Sequence, residues 1–240
     1  MLVHGAMHGA WCWETLVPLL QAKGYEIDTL DLPGLGDDPT PPKTVTLQSY
    51  IDRVVEVISV KPGPVLLLGH SMGGAAISGA GEAIPHRIAK LIYLAAFLPK
   101  DGESMLSMIR TSARFREPSA AADPNRSEVA GAHEFPAELA RQMFYNTCPP
   151  DVAERAVARL RPQADGPLSE VLRLTAARWG AIPKTYIVCA QDRALPPGAQ
   201  HWSCERAPEA KKRVMDTDHS PFYSDPDGLA KIIAEEAASR

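Results

Sequence analysis

The sequence predicts an α/β fold in which a mostly parallel central sheet is flanked by helices and a helical cap is inserted between two strands. Short apolar runs alternate with stretches of helical periodicity, a pattern typical of a parallel sheet covered on both faces. One run, residues 65–68, is continuously apolar, as a buried central strand requires. The alternation stops over residues 100–180, which indicates an insertion.

The predicted strands are apolar runs that end at turn-forming residues, such as Pro33-Gly34 after the second strand. The first strand has three residues before the His4-Gly5 turn. This allows either a short strand or a natural chain that begins before Met1. Strands are predicted at residues 1–4, 25–32, 65–68, 91–98 and 185–190, with a further apolar segment at 214–215.

The predicted helices carry apolar residues at helical spacing and have suitable residues at their ends. Thr46 is placed to cap the helix of residues 46–60, because its hydroxyl can accept a hydrogen bond from a free backbone N–H. Gly24 suits the end of the first helix. Helices are predicted at residues 13–20, 46–60, 74–82 and 228–238.

Two structural units follow from these elements. Residues 1–99 and 181–240 form the predicted core domain, and residues 100–180 form a helical cap, or lid, with no convincing strand. The cap carries Met and aromatic residues that either roof a pocket or pack its own small core. Phe144 and Trp179 from this segment, together with His8, are the candidate pocket residues.

Composition favours a cytoplasmic protein with free thiols. Lys plus Arg is 25 and Asp plus Glu is 29, giving a net charge of −4 and no electrostatic reason to expect nucleic acid as a partner. No apolar stretch approaches the roughly 18 residues of a membrane span, and the first residues do not resemble a secretory signal. The four cysteines form no C-x-x-C pair. A homodimer is compatible with this sequence.

The pattern Gly69-His70-Ser71-Met72-Gly73 lies between the apolar strand and a predicted helix. In this context G-x-S-x-G indicates a nucleophile elbow, a sharp turn that exposes the serine. Small residues on either side leave room for the turn. The Met72 N–H, at the start of the helix, is directed towards a substrate oxygen. Ser71 is therefore the candidate nucleophile.

A serine hydroxyl needs a base, and His219 has the best position among the seven histidines. It lies in a loop between the apolar segment at 214–215 and the last helix. His4 precedes a Gly-Ala turn, and His70 is expected to point away from Ser71. Three other histidines have no comparable context: His86, His133 and His201.

The acid that orients the histidine should follow a strand and lie between Ser71 and His219 in the chain. Asp192, after the strand of residues 185–190, meets both conditions. Asp216 and Asp218 are rivals, but a residue on the histidine's own loop rarely reaches the far ring nitrogen in line. The predicted catalytic triad is Ser71, Asp192 and His219.

A second oxyanion-hole donor is expected from the backbone of the loop after the first strand, where small residues at Gly5 and Ala6 allow a substrate to approach. His4 and His8 stand four residues apart and could suggest a metal pair. No third ligand accompanies them, so the sequence predicts neither a metal nor an organic cofactor.

Five motifs together resemble the α/β-hydrolase branch that contains plant methylesterases, salicylate-binding esterases and hydroxynitrile lyases. They are HGAMHGAWCW at 4–13, LGHSMGG at 68–74, YLAAF at 93–97, YIVC at 186–189 and DH at 218–219. The resemblance covers nearly the whole chain but weakens over residues 100–180.

The resemblance implies an α/β-hydrolase fold and a serine esterase. The Met and aromatic residues of the insertion favour carboxylic esters that are small to medium and hydrophobic. The resemblance also implies a triad of Ser71, Asp192 and His219, with the Ala6 and Met72 backbone N–H groups as the oxyanion hole. Lyases of this branch carry a hydroxyl or amide side chain at the Ala6 position, and many carry lysine at the Ser220 position. Neither group is present, which favours an esterase over a lyase. A ligand-binding receptor with residual esterase activity is another alternative.

Overall fold

The apolar runs form one parallel sheet in a computed structural model of the protein, which describes residues 1–116 and 125–239. Its strands are β1 (Leu2–Val3), β2 (Thr29–Leu30), β3 (Val65–His70), β4 (Ile88–Leu94), β8 (Lys184–Cys189) and β9 (Lys211–Met215). Their order is β2-β1-β3-β4-β8-β9, and each of these pairings is parallel. The predicted fold class is confirmed.

Helices cover both faces of this sheet. They are α1 (Leu16–Gln21), α2 (Leu47–Ser59), α3 (Gly73–Ala83), α8 (Pro197–Arg206), α9 (Pro221–Ser224) and α10 (Pro226–Ala238). Thr46 caps α2 as predicted, since its hydroxyl accepts a hydrogen bond from the Ser49 N–H at 3.0 Å. No helix within the described residues is both long and apolar enough to cross a membrane.

Neighbouring side chains along a central strand enter opposite halves of the core. Leu67 packs with residues of α2 and α3, whereas Leu68 packs with residues of α1 and α10. This division follows from the two-residue period of a strand. It explains why β3 is apolar at successive positions, because both of its faces are buried.

The strand predicted over residues 25–32 is much shorter in the structure. β2 contains Thr29 and Leu30, which lie opposite Leu2 and Val3 of β1. A ladder is as long as its shorter strand, so the two residues of β1 limit β2 to two. The apolar residues Tyr25 and Ile27 pack against the core without joining the sheet.

The segment between β4 and β8 contains both helices and short strands. The helices are α4 (Met105–Thr111), α5 (Ala137–Phe144), α6 (Pro150–Val157) and α7 (Gly166–Ser169). A three-stranded antiparallel sheet accompanies them, formed by β5 (Asn125–Arg126), β6 (Ala132–Glu134) and β7 (Gln163–Ala164). The expectation of no strand is wrong here, because strands of two or three residues are too short to produce visible alternation. The domain boundaries at residues 100 and 180 stay a prediction.

The parallel direction of the strands places the candidate triad and the candidate oxyanion-hole residues at one edge of the sheet. Parallel strands have their carboxyl ends on the same side, and loops there carry binding sites in open α/β sheets. Ala6 follows β1, Ser71 follows β3, Asp192 follows β8 and His219 follows β9. Residues far apart in the chain thus share one edge.

Candidate active site

The serine lies on a strained turn between a strand and a helix. β3 ends at His70 and α3 begins at Gly73, so Ser71 and Met72 form the turn. Ser71 has a φ of 53°, in the left-handed region that side chains other than glycine rarely adopt. A Cβ at Gly69 would lie 2.7 Å from the Gly73 carbonyl oxygen. The geometry therefore requires the small residue at Gly69 that the motif supplies.

The candidate base and acid are in direct contact. His219 Nδ1 lies 2.7 Å from Asp192 Oδ2, and this nitrogen donates to the carboxylate, which can only accept. The other carboxylate oxygen accepts hydrogen bonds from the Ala194 and Leu195 N–H groups, each at 2.8 Å. Burial raises the pKa of Asp192 above its usual value, and the imidazole and these N–H groups oppose that rise. The contact leaves His219 Nε2 available to a reacting group.

Gln200 on α8 also holds the acid and has no signal in the sequence. Its side-chain amide donates to Asp192 Oδ2 at 2.9 Å and to the Leu195 carbonyl oxygen at 2.7 Å. Its oxygen accepts from the Cys189 N–H at 2.9 Å. Gln200 therefore links the end of β8 to the carboxylate. Sequence reasoning missed it because a glutamine within a helix belongs to no recognisable motif.

The rival acids are occupied elsewhere. The carboxylate of Asp218 accepts hydrogen bonds from the Thr147 N–H, the Cys148 thiol, the Ser220 N–H and the Ser224 hydroxyl. Asp218 thus joins the histidine loop to the segment after α5. Asp216 accepts from the side chain of Gln191 at 2.9 Å. Both arrangements support Asp192 as the partner of the His219 ring.

His70 supports the histidine loop. Its Nε2 lies 2.8 Å from the His219 carbonyl oxygen, and the centres of the two rings are 4.5 Å apart. Because a carbonyl oxygen can only accept, His70 Nε2 carries the proton. Burial lowers the pKa of His70 well below its usual value, so the ring stays neutral. His70, the residue before Ser71, thus connects the end of β3 to the loop that carries His219.

The two candidate oxyanion donors border the serine. A Cβ at Gly5 would lie 2.8 Å from the Ser71 Cβ, so the Gly5-Ala6 turn passes directly beside the candidate nucleophile. In the described part of the chain, the Ala6 and Met72 N–H groups have no protein acceptor. Both groups are thus available to a ligand oxygen.

Phe144 and His8 lie next to this arrangement. The Phe144 ring centre is 5.7 Å from that of His219 and 5.6 Å from that of His8. His8 is fully buried, and both of its ring nitrogens are hydrogen-bonded, to the Ala6 carbonyl oxygen and to the Tyr145 hydroxyl. Phe144 can therefore form an apolar wall beside His219, whereas His8 holds the backbone of the Gly5-Ala6 turn through the Ala6 carbonyl oxygen.

Trp179 is placed elsewhere, which corrects its selection as a pocket residue. Its indole N–H donates to the Tyr93 hydroxyl at 2.9 Å, and the Lys184 ammonium lies 4.4 Å from its ring centre. It also lies against Gly81, in the last turn of α3, whereas Ser71 precedes the first turn. The sequence placed Trp179 in the insertion, but its contacts are with the body of the sheet and α3.

The histidines at positions 4 and 8 do not form a metal pair. His4 Nδ1 donates to the Gly5 carbonyl oxygen at 2.8 Å, and His4 Nε2 accepts from the Leu32 N–H at 3.1 Å. His8 is similarly saturated. A metal ion would have to displace these hydrogen bonds. In residues 1–116 and 125–239, no group of three or more His, Cys, Asp or Glu side chains is arranged to hold a metal.

Comparison with known proteins agrees with this architecture. Residues 1–232 match the profile of the alpha/beta hydrolase family. Methylesterase 1 of Arabidopsis thaliana is 30% identical, with 99% of this chain and 95% of that protein covered. The crystal structure of a pyrethroid hydrolase from Sphingobium faniae JZ-2 has a TM-score of 0.87 at 28% identity, over 99% of this chain and 96% of that one. Polyneuridine aldehyde esterase has a TM-score of 0.86 at 25% identity, over 98% and 97%.

The fold and these relatives define the class of the protein, which is a hydrolase of carboxylic esters. Since the profile spans nearly all of the sequence, the chain belongs to the alpha/beta hydrolase family. The resemblance to the methylesterase branch is confirmed. The roles of the individual site residues stay predictions.

Proposed function

We propose that the protein is a serine carboxylesterase that hydrolyses small to medium hydrophobic esters through an acyl-enzyme on Ser71. The observation that carries the proposal is the 2.7 Å contact between His219 Nδ1 and the buried Asp192 carboxylate, at the sheet edge where Ser71 occupies a strained turn. The relatives named as methylesterase and aldehyde esterase support an ester as the bond cleaved.

In the first half of the reaction, His219 Nε2 removes the Ser71 proton as the hydroxyl attacks the ester carbonyl. Asp192 holds the ring in the required tautomer and stabilises the imidazolium that forms. The backbone N–H groups of Ala6 and Met72 stabilise the oxyanion, and loss of one such donor typically costs roughly 3 kcal/mol of barrier. The imidazolium then protonates the departing alkoxide.

In the second half, His219 activates a water molecule that attacks the acyl-enzyme, and Ser71 is regenerated as the acid leaves. The same two N–H groups stabilise the second tetrahedral intermediate. Every proton transfer uses His219, so this cycle requires no metal or organic cofactor.

Apolar rings near the site support a hydrophobic substrate. Phe144 lies beside His219. The Phe97 N–H donates to the Ser71 carbonyl oxygen at 3.1 Å, and the Phe97 and Phe115 rings stack with centres 5.7 Å apart. Aromatic residues so close to the candidate nucleophile and base favour acyl or alcohol groups with apolar surface.

A panel of aryl and methyl esters tests the proposal. We expect a burst of released alcohol equal to the enzyme concentration wherever deacylation is slow, followed by steady turnover. Tight binding of esters without turnover would instead indicate a ligand-binding receptor. Cleavage of amides, with esters left intact, would contradict the assignment of the bond.

Substrate ranking should depend on Phe144. For Phe144→Ala, we expect KM for a bulky apolar ester to rise about tenfold, because a buried aromatic side chain contributes about 1.5–3 kcal/mol. A small methyl ester should be affected less, so the ranking changes. Trp179→Phe is the matched control, since Trp179 contacts α3 and β8, and it should keep the wild-type ranking. If Trp179→Phe changed the substrate ranking and Phe144→Ala did not, the assignment of Phe144 to the substrate pocket would be wrong.

Mandelonitrile should be cleaved no faster than background. Departing cyanide needs a nearby cation in a partly dry site, where an unpaired anion is costly. Ser220 carries no charge, and its buried hydroxyl has no partner within the described residues. Among cations of the insertion, Arg141 is paired with Glu138 and Arg178 donates to the carbonyl oxygens at the end of α3. Cyanide release that disappears in Ser71→Ala would contradict the esterase assignment in favour of a lyase.

We propose a small-molecule ester as the partner, the cytoplasm as the compartment and a homodimer as the assembly. The net charge of −4 supports an absence of nucleic-acid binding. Some relatives carry the word chloroplastic in their names. Localisation of the tagged protein in cells of its source would test the compartment, and sedimentation would test the assembly.

A further inference from the structure

Each peptide group of the turn that follows β1 is held by a hydrogen bond. The Gly5 carbonyl oxygen accepts from His4 Nδ1 at 2.8 Å, and the Ala6 carbonyl oxygen accepts from His8 Nδ1 at 2.7 Å. In a planar trans peptide the C=O and N–H groups point in opposite directions. Holding the Gly5 oxygen therefore also directs the Ala6 N–H, which is the proposed oxyanion donor.

Residues of the segment between β4 and β8 hold the peptides on both sides of Met7. The Met7 N–H donates to Gln163 Oε1 at 3.3 Å, and the Met7 carbonyl oxygen accepts from the Arg161 N–H at 2.9 Å. Met7 has a φ of 64°, in the left-handed region. A residue other than glycine keeps such a conformation where its surroundings determine it. Gln163 and Arg161 are those surroundings.

His8 is held in turn by a tyrosine from the same segment. Because His8 Nδ1 donates to a carbonyl oxygen, Nε2 of the neutral ring is an acceptor. The Tyr145 hydroxyl lies 2.7 Å from Nε2 and donates to it. Burial lowers the pKa of His8 to about 3 and raises that of Tyr145 well above its usual value. Near neutral pH, the Tyr145 hydroxyl therefore always donates to His8, and His8 always donates to the Ala6 carbonyl oxygen.

We infer that Tyr145, acting through His8, and Gln163 are positioning residues. They hold the Ala6–Met7 peptide, which restricts rotation of the adjoining Gly5–Ala6 peptide and so keeps the Ala6 N–H directed at the substrate oxygen. The inference rests on the proposed ester hydrolysis. The two side chains reach the backbone of the turn, one through His8 and one directly. Part of the insertion therefore completes the oxyanion hole of the core.

The experiment compares Tyr145→Phe and Gln163→Met with the control Tyr93→Phe. Tyr93 is also a buried tyrosine with two hydrogen bonds, to Ser78 and Trp179, but it lies on the α3 side of the sheet. We expect kcat for a small ester to fall about tenfold or more in the first two variants, since loss of a whole donor costs about 10²–10³. KM should stay within about twofold, because the donor acts mainly in the transition state.

A second measurement separates positioning from packing. An aryl trifluoromethyl ketone forms a hemiketal with the serine whose oxygen must occupy the oxyanion hole. In Tyr145→Phe and Gln163→Met, the inhibition constant of this ketone should rise by the same factor by which kcat falls. In Tyr93→Phe it should stay unchanged. Thermal unfolding would verify that each variant is folded. Because the two substitutions are at different residues, the inference can still be tested with one variant if the other misfolds.

Two results would overturn the inference: folded variants with kcat and ketone affinity near wild type, or an equal loss in Tyr93→Phe. If the wild type hydrolysed no ester but bound the ketone, the proposed function would fail while the ketone series still decided the inference. If the wild type neither hydrolysed esters nor bound the ketone, both would fall.

Discussion

Replacement of Ser71 by alanine is expected to abolish ester hydrolysis and leave the fold intact. Removal of a serine nucleophile lowers kcat by about 10⁶ in enzymes of this chemistry, because no covalent intermediate can form. Ser71 is half-buried, and within the described residues its hydroxyl has no hydrogen-bond partner, so its loss leaves no buried group unsatisfied. Turnover of an aryl ester and thermal unfolding would measure the two effects.

A serine-directed phosphonate should label Ser71 alone, as peptide mass analysis would show. Ser203→Ala is a matched control, because Ser203 is buried on α8 and its hydroxyl bonds to the Ala199 carbonyl oxygen of the same helix. This control should keep its turnover and its labelling. Undiminished turnover by Ser71→Ala, or labelling at another serine, would reject Ser71 as the nucleophile.

Asp192→Asn should lower kcat by about 10⁴, the loss seen when a triad aspartate is replaced by its amide. Four donors surround the carboxylate: the His219 ring, the Gln200 amide and the N–H groups of Ala194 and Leu195. An amide NH₂ group cannot accept from any of them. If it faces His219, it forces Nδ1 to accept and places the ring proton on Nε2, where the base must be free. Steady-state kinetics would measure the loss.

Asp218→Asn is the natural comparison, because Asp218 is the rival acid and lies next to the base. We expect kcat to fall less than about tenfold, since this carboxylate braces the loop against Thr147 and Ser224 and does not orient the ring. Its melting temperature should fall instead, because buried donors lose a charged acceptor. If Asp218→Asn were crippling and Asp192→Asn mild, the assignment of the acid would be wrong.

The features that the sequence predicted are those encoded locally. The G-x-S-x-G turn is readable because its constraint comes from neighbouring backbone, such as the Gly73 oxygen close to a Cβ at Gly69. The core strands are readable because burial on both faces demands continuous apolar residues. Thr46 is readable because a cap acts on residues within the next turn. The fold class and the location of the serine follow from such signals.

The choice between Asp192 and Asp218 as the candidate acid rests on weaker sequence evidence. Chain order favoured Asp192, but Asp218 stands beside His219 in sequence. The structure distinguishes them by direction, because Asp192 meets the ring at Nδ1 whereas Asp218 faces the segment after α5. No local pattern reports which way a carboxylate points across a loop.

The remaining features depend on how distant elements pack. The sequence groups Trp179 with Phe144 because both are aromatic residues of one insertion, yet the structure places Trp179 against α3 and Phe144 beside His219. Gln200 and Tyr145 had no sequence signal, although each donates a hydrogen bond to a candidate site residue. Their partners lie 8 and 137 residues away in the chain. The sequence alone determined the fold class and the nucleophile turn, because their causes lie within a few residues. The tertiary structure decided the hydrogen bonds that support the candidate acid and the candidate oxyanion turn, because the partners, 8 and 137 residues apart, do not share one helix or strand whose period would relate them.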